Sequence, residues 1–156
     1  MHPMWEQIFG AANLLAMIAW VVLILGPRRE IVMRALFFGP LLMLALGYVT
    51  GLTLVLTGAV PTGGGANFAS IEGVRSIFSS DPGVTIGWVH YLVFDLFVGL
   101  WIARNADAHG LDTLKGRLIQ APILFFTFAA GPFGLALYIA LRAIFLHGRS
   151  AHLIPA

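Results

Sequence analysis

The chain has 156 residues, of which 59% are hydrophobic and only 10% charged, with a net charge of +2 and no cysteine. A soluble domain carries about 25% charged residues, so this composition excludes a soluble globule and points to a single integral membrane domain. It also excludes disulfides, thiolate metal sites and iron–sulfur clusters, and the lack of a basic stripe interleaved with aromatics argues against a nucleic-acid partner.

The first span is expected over roughly Trp5 to Leu25, with Glu6 at its entry and Asn13 near its middle. No basic region precedes it, and it ends at Pro27-Arg28-Arg29 without a small-x-small cleavage site. It is therefore read as a retained span and not a signal peptide. The second span covers roughly Met33 to Leu56 and carries Gly47-x-x-x-Gly51, a spacing that permits close helix approach. The Gly/Pro/Thr loop of residues 58–66 follows, and Pro61-Thr62-Gly63-Gly64-Gly65 is expected to be its most flexible part. From Asn67 to Ser80, apolar Phe68, Ile71, Val74, Ile77 and Phe78 alternate with Glu72, Arg75, Ser76 and Ser79. That pattern predicts a short amphipathic helix at the membrane interface.

The third span runs roughly Ile86 to Ala103, and a polar loop from Arg104 to Arg117 follows it. A fourth span is expected over roughly Leu118 to Phe145, kinked at Gly131-Pro132-Phe133-Gly134. The result is an all-α fold: a four-helix transmembrane bundle with one interfacial helix. Arg28, Arg29 and Arg34 flank the first loop, and Arg104, Lys115 and Arg117 flank the third. The positive-inside rule then puts those loops in the cytoplasm and both termini outside.

Ionisable groups inside a span are costly and are usually retained for function. Asp95 lies near the middle of the third span and is the first candidate for proton transfer; its structural alternative is a hydrogen bond to Asn13, a tyrosine or a carbonyl beside Pro132. His90 stands five residues earlier, about 7.5 Å along the axis and about 140° around it. Spacing therefore does not support a direct His–Asp dyad. Glu72 on the amphipathic helix is a third candidate, although it can equally form an ordinary pair with Arg75. Arg142 either snorkels outward or pairs with a carboxylate. No His-x-x-x-His, Gly-x-Ser-x-Gly, Walker or dinucleotide motif is present, so proton-transfer chemistry or proton-coupled transport fits better than redox chemistry. No metal and no cofactor is expected.

Phe68-Ala69-Ser70-Ile71-Glu72-Gly73-Val74, the block from Gly87-Trp88-Val89-His90-Tyr91 through Phe94-Asp95 to Gly99, and Gly131-Pro132-Phe133-Gly134-Leu135 with Tyr138 resemble the abscisic-acid-deficient-4-like family. Asn13-Leu14-Leu15-Ala16-Met17 with Trp20 and Pro27 resembles that family's first span. Plant members are associated with the isomerisation of violaxanthin to neoxanthin. The resemblance implies a membrane protein acting on carotenoids, with an acid at the epoxide oxygen and a base at carbon. Because the chain starts at its first span with no transit peptide, a bacterial inner-membrane location and another carotenoid or a retinoid are expected.

The leading expectation is a cofactor-independent carotenoid or retinoid isomerase. Asp95, His90 and Glu72 would be catalytic, and Asn13, Trp88, Tyr91, Phe94, Tyr138 and Arg142 would bind substrate. Gly73, Gly87, Gly99 and Pro132 are expected to open its groove to a hydrophobic polyene arriving through membrane lipids, and an oligomer is compatible with this. The alternatives are a non-enzymatic carotenoid-binding protein and a small proton-coupled carrier.

Overall fold

A computed structural model describes residues 3–62 and 67–145; the Gly63-Gly64-Gly65 run and the tail His147 to Ala156 lie outside the described residues. Helix α1 spans Pro3–Leu25, its proline tolerated where no backbone donor is needed. Helix α2 runs over Glu30–Leu56. Pro40 cannot donate to the ladder, and Phe37–Leu41 widens there into a π-type turn. The short helix α3, Ile71–Ile77, starts where the Ser70 hydroxyl accepts from Gly73 N at 3.0 Å. It is shorter than expected because the Asn67 side chain folds the preceding residues into a turn, its Oδ1 accepting from Ala69 N at 3.0 Å. Helix α4, Asp81–Ala106, begins at the Ser80 cap, five residues before the apolar run suggested, and leads into a wide turn over Asp107–Leu111.

Helices α1, α2 and the α4 segment are long and apolar enough to cross a membrane. The expected continuous fourth span is overturned. Thr113 caps α5, Leu114–Ala130, which ends at Gly131 with φ of 40°. A positive φ at glycine carries no Cβ penalty, so the chain turns there. Helix α6, Pro132–Phe145, then runs back along α5. Three contacts fix its direction. Gly131 lies against the Asp95 carboxylate, Trp101 packs edge-on to Tyr138 at 5.7 Å, and Tyr138 Oη donates to Asn105 Oδ1 at 2.6 Å. Passing from residue 131 to 138, the chain moves from the level of Asp95 toward the Asn105 end of α4. Gly134 makes this possible, because a Cβ there would collide with Thr127 backbone. The Gly131–Pro132 stretch is thus a reversal and not a kink, and it forms a hairpin about half the height of the bundle.

The consequence reaches the ends of the chain. Arg117 Nη2 donates to Ile24 O at 3.5 Å and to Gly26 O, which places the end of α1 beside the start of α5. Trp5 and Glu6 face Asp81 and Thr85 at the other end. The described ends, Pro3 and Phe145, therefore lie at opposite ends of the bundle and not on one side.

Helix α4 is the hub, packed by α1, α2 and the α5–α6 hairpin. Trp20, Leu23, Leu96, Ile102, Leu124 and Tyr138 are essentially fully buried. Gly99 admits the Trp20 ring and is filled by it, whereas Gly87 seats the edge of the Phe78 ring and lines the groove beside it. Gly51 seats Ile86, whereas Gly47 faces open space.

Candidate functional site

The residues singled out from the sequence fall into separate places. His90 lies in the seam between α2 and α4, where α3 closes the end. Its ring is 4.7 Å from Phe94, 5.2 Å from Tyr48 and 6.0 Å from Tyr91, centroid to centroid. A groove of about 500 Å³ opens here, lined by Tyr48, Leu52, Ile77, Phe78, Ile86 and His90 among others. Its walls are mainly apolar and aromatic, and among the described residues His90 is the only imidazole on them. Tyr48 was not singled out from sequence, because only the packing of α2 against α4 brings it to His90.

Asp95 sits on a different side of α4. It is half-buried at mid-length of the helix, with the reversal at Gly131 against its carboxylate. Among the described residues it has no hydrogen-bond partner. The start of α6 lies beside it. Beyond the tip of the hairpin Tyr91 is 58% exposed, and Trp88 keeps 44% exposure beside Phe9 of α1.

The other candidates are elsewhere. Asn13 Nδ2 donates to Phe9 O at 2.8 Å, and its Oδ1 accepts from Trp88 Nε1 at 2.9 Å, tying α1 to α4 and not reaching Asp95. Glu72 pairs with Arg75 at 2.6 Å on the exposed side of α3. Tyr138 is fully buried at the opposite end of the bundle, and Arg142 follows it by one turn of α6. Among the described residues no three His, Asp or Glu side chains converge, so His90, Asp95 and Glu72 do not form one metal-binding set.

A polar cluster at the Asn105 end was not foreseen as a unit. Arg28 Nη1 donates to Asp107 Oδ2 at 3.2 Å and to Gln120 Oε1 at 3.3 Å, and Arg28 Nε reaches Leu23 O at 3.1 Å. Gln120 Nε2 donates to Asp107 Oδ1 at 2.9 Å and to Leu111 O at 2.7 Å. Burial holds the Arg28 guanidinium below its ordinary value, and the Asp107 carboxylate opposes that shift. The cluster satisfies carbonyls freed at the end of α1, which is structural work. Gln120, a polar residue inside an apolar run, was the one signal in the sequence.

Two chemistries follow from this layout. The His90 groove can hold a rigid apolar group, and Asp95 can give or take a proton next to a surface open to lipid. Going round α4 at about 100° per residue, His90, Phe94, Tyr91 and Asp95 follow one another across about 140°. Phe94 and Tyr91 are 54% and 58% exposed, so an aromatic strip links the groove to the carboxylate.

A family model described as ABA DEFICIENT 4-like matches residues 7–138, a stretch that includes the groove and the hairpin as far as Tyr138. No curated protein and no solved structure matches the chain.

Proposed function

The chain belongs to the ABA DEFICIENT 4-like family, and from that premise we propose that it is a membrane enzyme that isomerises a carotenoid or related polyene, with Asp95 as its proton-transferring group. The observation that carries this reading is the Asp95 carboxylate, unpartnered among the described residues, at mid-length of α4 beside the Gly131 reversal. Structural carboxylates at such depth are held by partners.

In the bilayer, α1, α2 and α4 cross, and the α5–α6 hairpin enters from the Arg28 end and returns to it. Arg28, Arg29, Arg34, Arg104, Lys115 and Arg117 gather at that end, and the return of α6 adds Arg142. The positive-inside rule then makes it the cytoplasmic end. A polyene enters laterally from lipid, seats one terminal ring in the groove at His90 and lies across Phe94 and Tyr91. Its reactive end then meets Asp95.

For an epoxide the reaction balances without a cofactor. The neutral carboxyl of Asp95 gives its proton to the epoxide oxygen as the C–O bond next to the polyene breaks. The neighbouring vinylic C–H loses its proton to the second carboxyl oxygen. The electron pair of that C–H bond becomes the second double bond of an allene, and Asp95 ends protonated as it began. Glu72, held by Arg75 on α3, takes no part.

Pigment chromatography of a carotenoid-producing host with and without the chain tests this reading. A new isomer peak is expected with the native chain, reduced about 100-fold or more with Asp95→Asn, the scale of a lost general acid. An undiminished peak in that variant removes Asp95 from the chemistry. A second reading rests on Asp95 having no second carboxyl or imidazole gathered with it among the described residues: a carotenoid-binding protein without catalysis. It predicts purified protein that carries pigment unaltered in mass and in spectrum after extraction.

A further inference from the structure

A second groove lies in the same α2–α4 seam, at the end far from α3. It holds about 320 Å³ and is walled by Phe37, Phe38, Phe97 and Trp101, with Arg34, Arg104 and Glu30 at its mouth. The two arginines share one carboxylate oxygen: Glu30 Oε1 accepts from Arg34 Nε at 2.9 Å and from Arg104 Nη2 at 3.2 Å. One positive charge is left over, and the remaining N–H groups of both side chains have no partner among the described residues. The wall opposite α4 owes its shape to the π-type turn at Phe37–Leu41. That turn swings two successive phenylalanines outward, edge to face at 5.2 Å. Phe38 is 66% exposed and the Gly39 Cα faces open space.

Charge and greasy surface are therefore stacked along the helix axis. The arginines sit in the first turns of α2 and the last turn of α4, at the level where a spanning helix leaves the hydrocarbon. The aromatics sit one to two turns deeper. Guanidinium groups bind phosphate oxygens through paired N–H donors, and basic clefts between spanning helices are suited to anionic headgroups. We propose that this groove binds one anionic phospholipid, its phosphate on Arg34 and Arg104 and one acyl chain along Phe37, Phe38 and Trp101. The aromatic walls select a lipid over a free phosphate, which has nothing to place against them. The site is separate from Asp95 and does not depend on the proposed reaction.

Native mass spectrometry of the full chain in detergent, with phosphatidylglycerol and phosphatidylcholine of identical acyl chains as probes, tests the proposal. Preferential retention of phosphatidylglycerol by about tenfold is expected, the equivalent of one charge-assisted hydrogen bond. Arg34→Gln with Arg104→Gln brings the ratio close to one. Glu30→Gln removes the negative charge that both guanidinium groups share and raises it, a gain that loss of folding does not produce. Arg29→Gln, at an exposed neighbouring arginine, leaves it unaltered. Equal retention of the two lipids by the native chain overturns the site. So does a loss with Arg29→Gln as large as that of the double variant, which marks diffuse charge attraction. Displacement of the lipid by an excess of glycerol 3-phosphate overturns the role of the aromatic walls.

Discussion

At the Arg28 end, side chains from α1's exit, the turn after α4 and helix α5 bond across the bundle, and the carbonyls at the end of α1 are covered by Arg28 and Arg117. At the α3 end, the caps at Ser70 and Ser80 and the Glu72–Arg75 pair each close within three residues of chain. What joins α3 to the bundle there is mainly the Phe78 ring against Gly87. The first end is assembled by several long-range polar bonds, whereas the second combines local caps and the Trp88–Asn13 bond with apolar contact around an open groove. Cross-bundle bonds fix helix positions, whereas an aromatic contact can be exchanged for a ligand's surface at little cost. The half-height hairpin sharpens the contrast, since it fills the bundle beside α4 at the bonded end and does not reach the other half of that face.

The largest effect that tests this contrast is expected from Asp107→Ala. The Arg28 side chain is only 8% exposed, and removing one partner of a buried pair costs about 3–5 kcal/mol. A thermal melt in detergent should show it as a large drop in Tm. A drop equivalent to less than about 1 kcal/mol, the range of exposed pairs, would mean that this end is not held by its polar cluster. Gly134→Ala comes next. Its Cβ would meet Thr127 backbone, which cannot swing aside as a side chain does, and overpacking of this kind costs about 1–3 kcal/mol. Native-like stability in this variant would show that the hairpin tip has slack.

The three spanning helices were legible in the sequence because each is one long apolar run bounded by charge, glycine or proline. The hairpin was not. Residues 118–145 are apolar apart from a few positions such as Gln120, Thr127 and Arg142, and hydropathy is the same for a chain that crosses as for one that turns back halfway. Gly131-Pro132-Phe133-Gly134 was visible as a break, but its angle depends on Gly134 finding Thr127, which is a tertiary fact. The site divides in the same way. The separation of His90 from Asp95 around the helix follows from 3.6 residues per turn, and the structure keeps them apart as that spacing requires. The bond from Trp88 to Asn13 and the stacking of Tyr48 near His90 depend on which helices are neighbours, and periodicity within one helix does not carry that information.

A smaller effect is expected at the α3 end. Ser80 Oγ accepts from Gly83 N at 3.2 Å at the start of α4, and replacing a capping serine by alanine costs about 1 kcal/mol. Ser80→Ala should therefore lower Tm by clearly less than Asp107→Ala. Because the cap holds the α3–α4 junction, it should also weaken binding of any polyene in the groove, as read by pigment retained on purification. Equal losses from the two variants would erase the distinction between the ends.

The smallest effect on stability is expected where the effect on chemistry is greatest. Asp95 makes no hydrogen bond within the described structure, so Asp95→Asn removes no bond and keeps the side chain's size. Changes away from packing and polar networks usually stay within about 0.5 kcal/mol, and Tm should remain within that equivalent of the native value. A carboxylate used for structure behaves in the opposite way, as Asp107 should, because its loss strands a partner. Measuring Tm and isomer formation on the same preparation of Asp95→Asn therefore separates the roles. Lost product with unaltered Tm assigns Asp95 to proton transfer. Lost product with a Tm fall as large as that of Asp107→Ala would place Asp95 among the groups that hold the hairpin, and the proton would have to come from elsewhere.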